Sequence, residues 1–232
     1  MRDAEQRHHL YGRRKGHALR PHHRQLIEEL LPQLRLDPAQ AQAFAGRTWL
    51  EIGFGGGEHL AHQAALHPDV RFIGAEPFIN GVAKLLALIE LNRLDNIRIH
   101  DGDARNLLEA LPSACLERIY LLYPDPWPKA RHHKRRLVNG ANLAHIHRLL
   151  KPGGLFLFAS DWAHYVAWTL FEVRQHGGLA WLAERAVEWR TPFPDWIETR
   201  YETKAKREGR TPTYLLFEKR PCGLPPAVLY SR

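Results

Sequence analysis

The sequence predicts an α/β fold: a mostly parallel, seven-stranded sheet with helices on both faces and a terminal antiparallel hairpin. Three observations carry that prediction. Short apolar runs alternate with helical patterns from residue 48 to residue 176, and repeated β-α units of this length specify a parallel sheet. A glycine-rich loop, Glu51-Ile-Gly-Phe-Gly-Gly-Gly57, directly follows the first apolar run and opens a helical segment. The chain has 232 residues and is 44% hydrophobic, enough for one large domain with a sizeable core.

The elements follow in order. Leu26, Ile27, Leu30, Leu31 and Leu34 fall at helical spacing, so a helix spans 24–35 and closes before Asp37-Pro38. Thr48–Ile52 reads as a strand, 53–57 as a tight loop and 58–66 as a helix ending at His67-Pro68. Strand 70–75, helix 79–94, strand 97–100 and a short helix 105–111 come next, then the apolar strand 117–123. A helix over 137–150 is stopped by Lys151-Pro-Gly-Gly154; strand 155–160 and helix 162–176 follow, closed by Gly177-Gly178. Residues 181–190 and 213–219 read as strands with no helix between them, which fits the edge hairpin. Residues 1–24 are basic, rich in His and Gly and weakly periodic, the pattern of a flexible arm. The organisation expected is an arm over 1–24, one domain over 25–220 and a tail over 221–232.

Composition narrows the function. No apolar run approaches the roughly 20 residues that span a membrane, and the N-terminus lacks the apolar core of a signal peptide. A cytoplasmic location is expected. Cys115 and Cys222 show no metal or redox spacing. His8-His9, His22-His23 and His132-His133 sit among arginines, which repel divalent cations, so no metal is expected. The net charge is +8, with 25 Arg among 33 basic residues. Guanidinium forks suit phosphates and guanine edges, which favours a nucleic-acid partner.

The glycine loop departs from the dinucleotide fingerprint, which needs glycine at 58 where this chain has Glu58. A carboxylate there is a poor neighbour for a pyrophosphate on the helix N-terminus. Further acids recur at strand ends: Glu76, Asp101, Asp103, Asp125 and Asp161. So acidic a pocket suits a cationic ligand carrying hydroxyls and an amino group, and S-adenosyl-L-methionine has all three. Gly53 and Gly55 permit close backbone approach. Glu76, 19 residues after Gly57, has the spacing to hold a ribose diol. Asp103 suits an adenine amino group and Glu51 the methionine ammonium.

The most specific stretch is Tyr123-Pro-Asp-Pro-Trp-Pro-Lys129, followed by the basic run Arg131-His-His-Lys-Arg-Arg136. Alternate prolines exclude helix and central strand and stiffen the loop. From it Asp125, Trp127 and Lys129 can grip a planar base next to a phosphate, Trp127 either stacking on the base or walling the pocket. The basic run is read as phosphate-contacting. Thr199-Arg-Tyr-Glu202 sets hydroxyl, aromatic and acid close together and can complete a base pocket.

Together these stretches resemble the bacterial tRNA (guanine-N7-)-methyltransferase family. The marks are 51–57, Gly74-Ala-Glu76, 124–129, 131–136, Ser160-Asp161 and Thr199-x-Tyr-Glu202, with Gly12-Arg-Arg-Lys-Gly16 in the arm. The resemblance runs from about residue 11 to residue 219. It implies a Rossmann-like methyltransferase fold and methyl transfer from S-adenosyl-L-methionine to N7 of guanosine 46 in the tRNA variable loop. It implies cofactor contacts at Glu51, Glu76, Asp103 and Asp125, with Asp125 also catalytic. Substrate contacts fall at Lys129, Asp161, Thr199, Tyr201 and Glu202, and RNA contacts at Arg131, His132, His133, Lys134, Arg135 and Arg136. Ala130 and Ala205 depart from the residues often seen at those positions. Two other readings stand beside this one: a methyltransferase of the same fold acting on a protein or small molecule, and a non-catalytic basic RNA-binding module. Monomer and homodimer are both compatible with the sequence.

Overall fold

The sheet is ordered β3-β2-β1-β4-β5-β7-β6 in a computed structural model that describes residues 10–12, 14–37 and 46–220. Residues 1–9, Arg13 and the 221–232 tail, with Cys222, lie outside the described residues. The strands are β1 Thr48–Ile52, β2 Arg71–Ala75, β3 Ile97–His100, β4 Leu116–Leu122, β5 Leu150–Ser160, β6 Leu179–Trp181 and β7 Thr213–Lys219. β1 to β5 pair in parallel, whereas β7 runs antiparallel to both β5 and β6.

Side-chain alternation along β1 explains the layering. All five β1 residues are buried, and successive side chains point to opposite faces. Trp49 joins a core with Phe72, Leu85 and Tyr120, while Leu50 joins the other with Ile119, Ile146 and Phe156. The helices are α1 Pro21–Glu29, α2 Leu31–Leu34, α3 Glu58–Leu66, α4 Ile79–Asn92, α5 Ala104–Ala110, α6 Gly140–Leu149, α7 Ala163–His176, α8 Ala186–Arg190 and α9 Arg200–Arg207. α3 and α4 cover the first face; α5, α6 and α7 cover the second.

Chain order reverses between β1 and β4. The chain leaves β1 outward through β2 and β3, then returns to β4 on the other side. Such a switch point opens a crevice beyond the strands' carboxyl ends. Both the glycine loop after β1 and the proline loop after β4 open into it.

Three expectations need correction. The single helix over 24–35 is two, broken at Leu30, with proline in the first turn of each. β5 starts at Leu150, five residues early, with an irregularity opposite Leu116 and Arg118. The strand expected over 181–190 is only Leu179–Trp181, and α8 and α9 lie between it and β7. The apolar residues from Leu182 to Trp189 suit a short strand as well as one helical turn, an ambiguity that periodicity alone does not resolve. Thr199 and Glu202, at capping-box spacing, were the available signal for α9.

Candidate functional site

A crevice of about 610 Å³ lies beyond β1 and β4. Gly53, Gly55 and Glu76 form one wall; Tyr123, Asp125 and Trp127 form another; Tyr201 and Tyr11 flank it. Gly55 takes φ +59°, and its N–H donates to Glu76 Oε2 at 2.8 Å. A Cβ on Gly55 would meet the Tyr201 ring at 2.9 Å, so this approach needs glycine. Glu76 Oε1 accepts from Phe78 N–H at 3.0 Å, leaving the carboxylate fixed at the crevice edge. Burial pushes its pKa up, and the two backbone N–H bonds pull it back.

The proline loop departs from ordinary backbone at two places. Tyr123 and Trp127 have φ +50° and +42°, left-handed values for non-glycine residues. Each costs roughly 1–3 kcal/mol, and such costs cluster at functional sites. Between them Asp125 accepts no hydrogen bond and forms no ion pair with any described residue. Its side chain meets solvent, yet the surrounding walls withhold enough water to push its carboxyl above the usual range.

Other acids singled out from the sequence lie elsewhere. Glu51 is buried and receives His59 Nδ1 at 2.7 Å, away from the crevice lining. Asp103 caps α5, accepting from Arg105 N–H at 2.9 Å and from its guanidinium. It borders a smaller cavity that adjoins Asp125 and Trp127. Asp101 is paired with Arg35, and Asp161 with Arg210. Glu76 and Asp125 are therefore the acids that line the main crevice.

The fit to S-adenosyl-L-methionine rests on these two carboxylates and on Glu58. Glu58 occupies the first turn of α3, where an anionic ligand would otherwise sit. Glu76 would hold ribose hydroxyls, and Gly53 and Gly55 would lie against the ligand. Asp125 would face the positive end.

The basic run lies on a 3-10 helix, Ala130–Arg135. Lys129, Arg131 and Lys134 are exposed. Arg135 lies over the rings of both Tyr11 and Trp127, 4.6 and 4.9 Å from their centroids. His132 packs edge-on to Trp127, and His133 against His164 and Trp168. Desolvation and then neighbouring arginines lower the pKa values of both histidines. The expected RNA contact at Arg136 is corrected: this residue is 1% exposed and sits inside the fold.

Thr199 and Glu202, expected at the substrate, are also corrected. Both are buried. Thr199 caps α9, and Glu202 accepts from Trp196 Nε1, Tyr214 Oη and Lys206 Nζ at 2.7 to 2.8 Å. They anchor α9, leaving Tyr201 of this segment at the crevice. Sequence reasoning missed Tyr11. It is held there by an arm whose Arg14 O, Gly16 N–H and His17 O bond Ile79 and Asn80. Among the described residues no helix is long and apolar enough to cross a membrane, and no group of three His, Cys, Asp or Glu is placed to hold a metal.

A family model and the sequence relatives point to one family, and the solved structures share its fold. A family model described as "Putative methyltransferase" matches residues 45–215. A tRNA (guanine-N(7)-)-methyltransferase of Rhizobium meliloti is 52% identical over 219 residues, covering 90% of this chain and 94% of its own. The tRNA (guanine-N(7)-)-methyltransferase of Agrobacterium fabrum is 52% identical over 224 residues, covering 91% and 95%. Among solved structures, a 16S rRNA (adenine(1408)-N(1))-methyltransferase from Catenulisporales acidiphilia superposes with a TM-score of 0.52 at 20% identity. It covers 82% of this chain and 94% of that one, and supports the fold.

Proposed function

Because the chain belongs to the tRNA (guanine-N7-)-methyltransferase family, we propose that it methylates guanosine 46 in the tRNA variable loop, with Asp125 as the catalytic residue. The reaction class is the family's own: S-adenosyl-L-methionine-dependent methylation of guanine N7 in tRNA. The observation that carries the residue assignment is the unpaired carboxylate of Asp125, held at the crevice on a strained loop.

S-adenosyl-L-methionine, when bound, supplies a methyl group made electrophilic by its sulfonium. Guanine N7 offers a lone pair and no proton, so no residue must act as general base. The purine becomes cationic as the bond forms. A fixed negative charge beside it is worth most in a site poor in water, and Asp125 supplies one. Its role is therefore electrostatic and positional. Tyr201 and Trp127 bound the space for a planar base, and the exposed Lys129, Arg131 and Lys134, which follow Trp127 in the chain, serve as phosphate contacts.

Incubation with unfractionated tRNA and labelled cofactor, followed by cleavage mapping at N7-methylguanosine, tests reaction, atom and position together. Label at guanosine 46 is expected. Label at another base sinks the position; label in mixed protein and none in tRNA sinks the substrate.

Phosphate contacts carry a separate signature. With three to four such contacts, tRNA affinity should fall by roughly 100-fold between 50 and 200 mM salt. Removing Lys129, Arg131 and Lys134 together should flatten that dependence. A filter-binding titration that shows the wild-type slope in the triple variant would remove these residues from the interface.

A further inference from the structure

Arg136 is a buried cation that no described carboxylate pairs. Its Nε donates to Pro126 O at 2.9 Å, and Nη2 reaches Trp127 O at 3.5 Å. Nη2 also lies 3.1 Å from His164 Nδ1. A guanidinium only donates, so that ring nitrogen accepts. The rings of Tyr165 and Trp168 flank the guanidinium, 4.8 and 5.0 Å away. Nη1 is buried without a partner.

Burying a charge without a counter-ion is costly, and an apolar side chain between two aromatic rings would avoid the cost. What an apolar side chain cannot supply is directed donors. The two loop carbonyls that Arg136 meets belong to the peptide groups on either side of Trp127, the residue at φ +42°. One guanidinium thus holds both flanks of the strained residue, two positions after Asp125. Lysine could not copy this, because its single ammonium lacks the planar fork.

We propose that Arg136 is a positioning residue for methyl transfer, fixing the proline loop from inside the fold so that Asp125 and Trp127 keep their direction. The proposal rests on the reading of 124–129 as the catalytic loop. It acts through geometry, since Asp125 is itself shifted by burial and not by a cation.

The test compares wild type, Arg136→Lys, His164→Ala and Val173→Ala by melting temperature, cofactor Kd, and kcat and KM for tRNA. Arg136→Lys should lose about 30-fold or more in kcat with KM for tRNA within about threefold, since a misplacement near 1 Å costs on that order. Cofactor Kd should rise by less than kcat falls, because Glu76 keeps its place. His164→Ala, at an exposed position, should lose a smaller factor in kcat alone. Val173→Ala, a core change on α7, should lower melting temperature and leave kcat near wild type. A wild-type kcat in folded Arg136→Lys overturns the proposal, as does a KM increase with kcat intact, which marks an RNA contact. If Arg136→Lys does not fold, His164→Ala decides: reduced kcat with unchanged KM supports the proposal, and unchanged kcat overturns it. Wild-type protein inactive on tRNA would instead sink the reading of the loop.

Discussion

Asp125→Asn is expected to cut kcat by roughly 100- to 1,000-fold, the range seen when one preorganised electrostatic stabiliser is removed. Asparagine keeps the size and one acceptor oxygen but loses the charge. If Asp125 acted mainly by accepting a hydrogen bond, much of the rate would survive. The same variant should melt at an equal or higher temperature. Burial raises the Asp125 carboxyl above its usual value, so the folded chain holds that proton more tightly than the unfolded chain. Stability contributed by this group then declines as pH rises through that range, and its charge costs stability at neutral pH. Inactivity with undiminished stability is thus the paired outcome. Activity should also fall, as pH drops, at a higher pH than an ordinary aspartate would give. Near-wild-type turnover in a folded Asp125→Asn variant removes the electrostatic role.

The same contrast between charge and burial decides what the sequence could disclose. β1 falls where its apolar run places it, because a strand buried on both faces leaves a near-continuous signal. β3, at the sheet edge, falls where Ile97 and Ile99 alternate with Arg98 and His100. The crevice was legible too, since loops at strand ends converge at the switch point. Orientation was not. Arg136 reads like its basic neighbours, yet its side chain turns inward beneath the loop. Glu202 reads as part of a base pocket and proves to be a three-donor anchor. Whether Trp127 stacks or walls was open from sequence. In this structure its ring lines the crevice, with Arg135 over it and Tyr11 edge-on to it. Tyr11 itself lay in a segment without periodicity, where nothing in the pattern marks a tertiary contact.

The largest effect on cofactor binding is expected at Glu76. Both its oxygens already accept backbone N–H groups, from Gly55 and Phe78, and the residue is 8% exposed. Glutamine would turn an NH2 group toward one of those donors. An unsatisfied buried N–H costs about 1–3 kcal/mol, and each bond from a ligand hydroxyl to a charged acceptor contributes about 1.5–3 kcal/mol. The first cost falls on the folded chain with or without ligand, so Kd for S-adenosyl-L-methionine carries only the lost ligand bonds, and one of them raises it by about 10- to 150-fold. Gly81→Ala tests the same geometry from behind. A Cβ there would lie 2.1 Å from Gly55 O, a backbone atom, so α4 or the glycine loop must move. That displacement reaches the crevice without altering any charge in it. If Glu76 and the glycine loop form one cofactor-holding unit, Glu76→Gln and Gly81→Ala should both weaken binding by calorimetry, and the double variant should lose less than the sum. Full additivity would mean that the loop and the carboxylate bind independently. Unchanged affinity in Glu76→Gln would move the ribose contact elsewhere in the crevice.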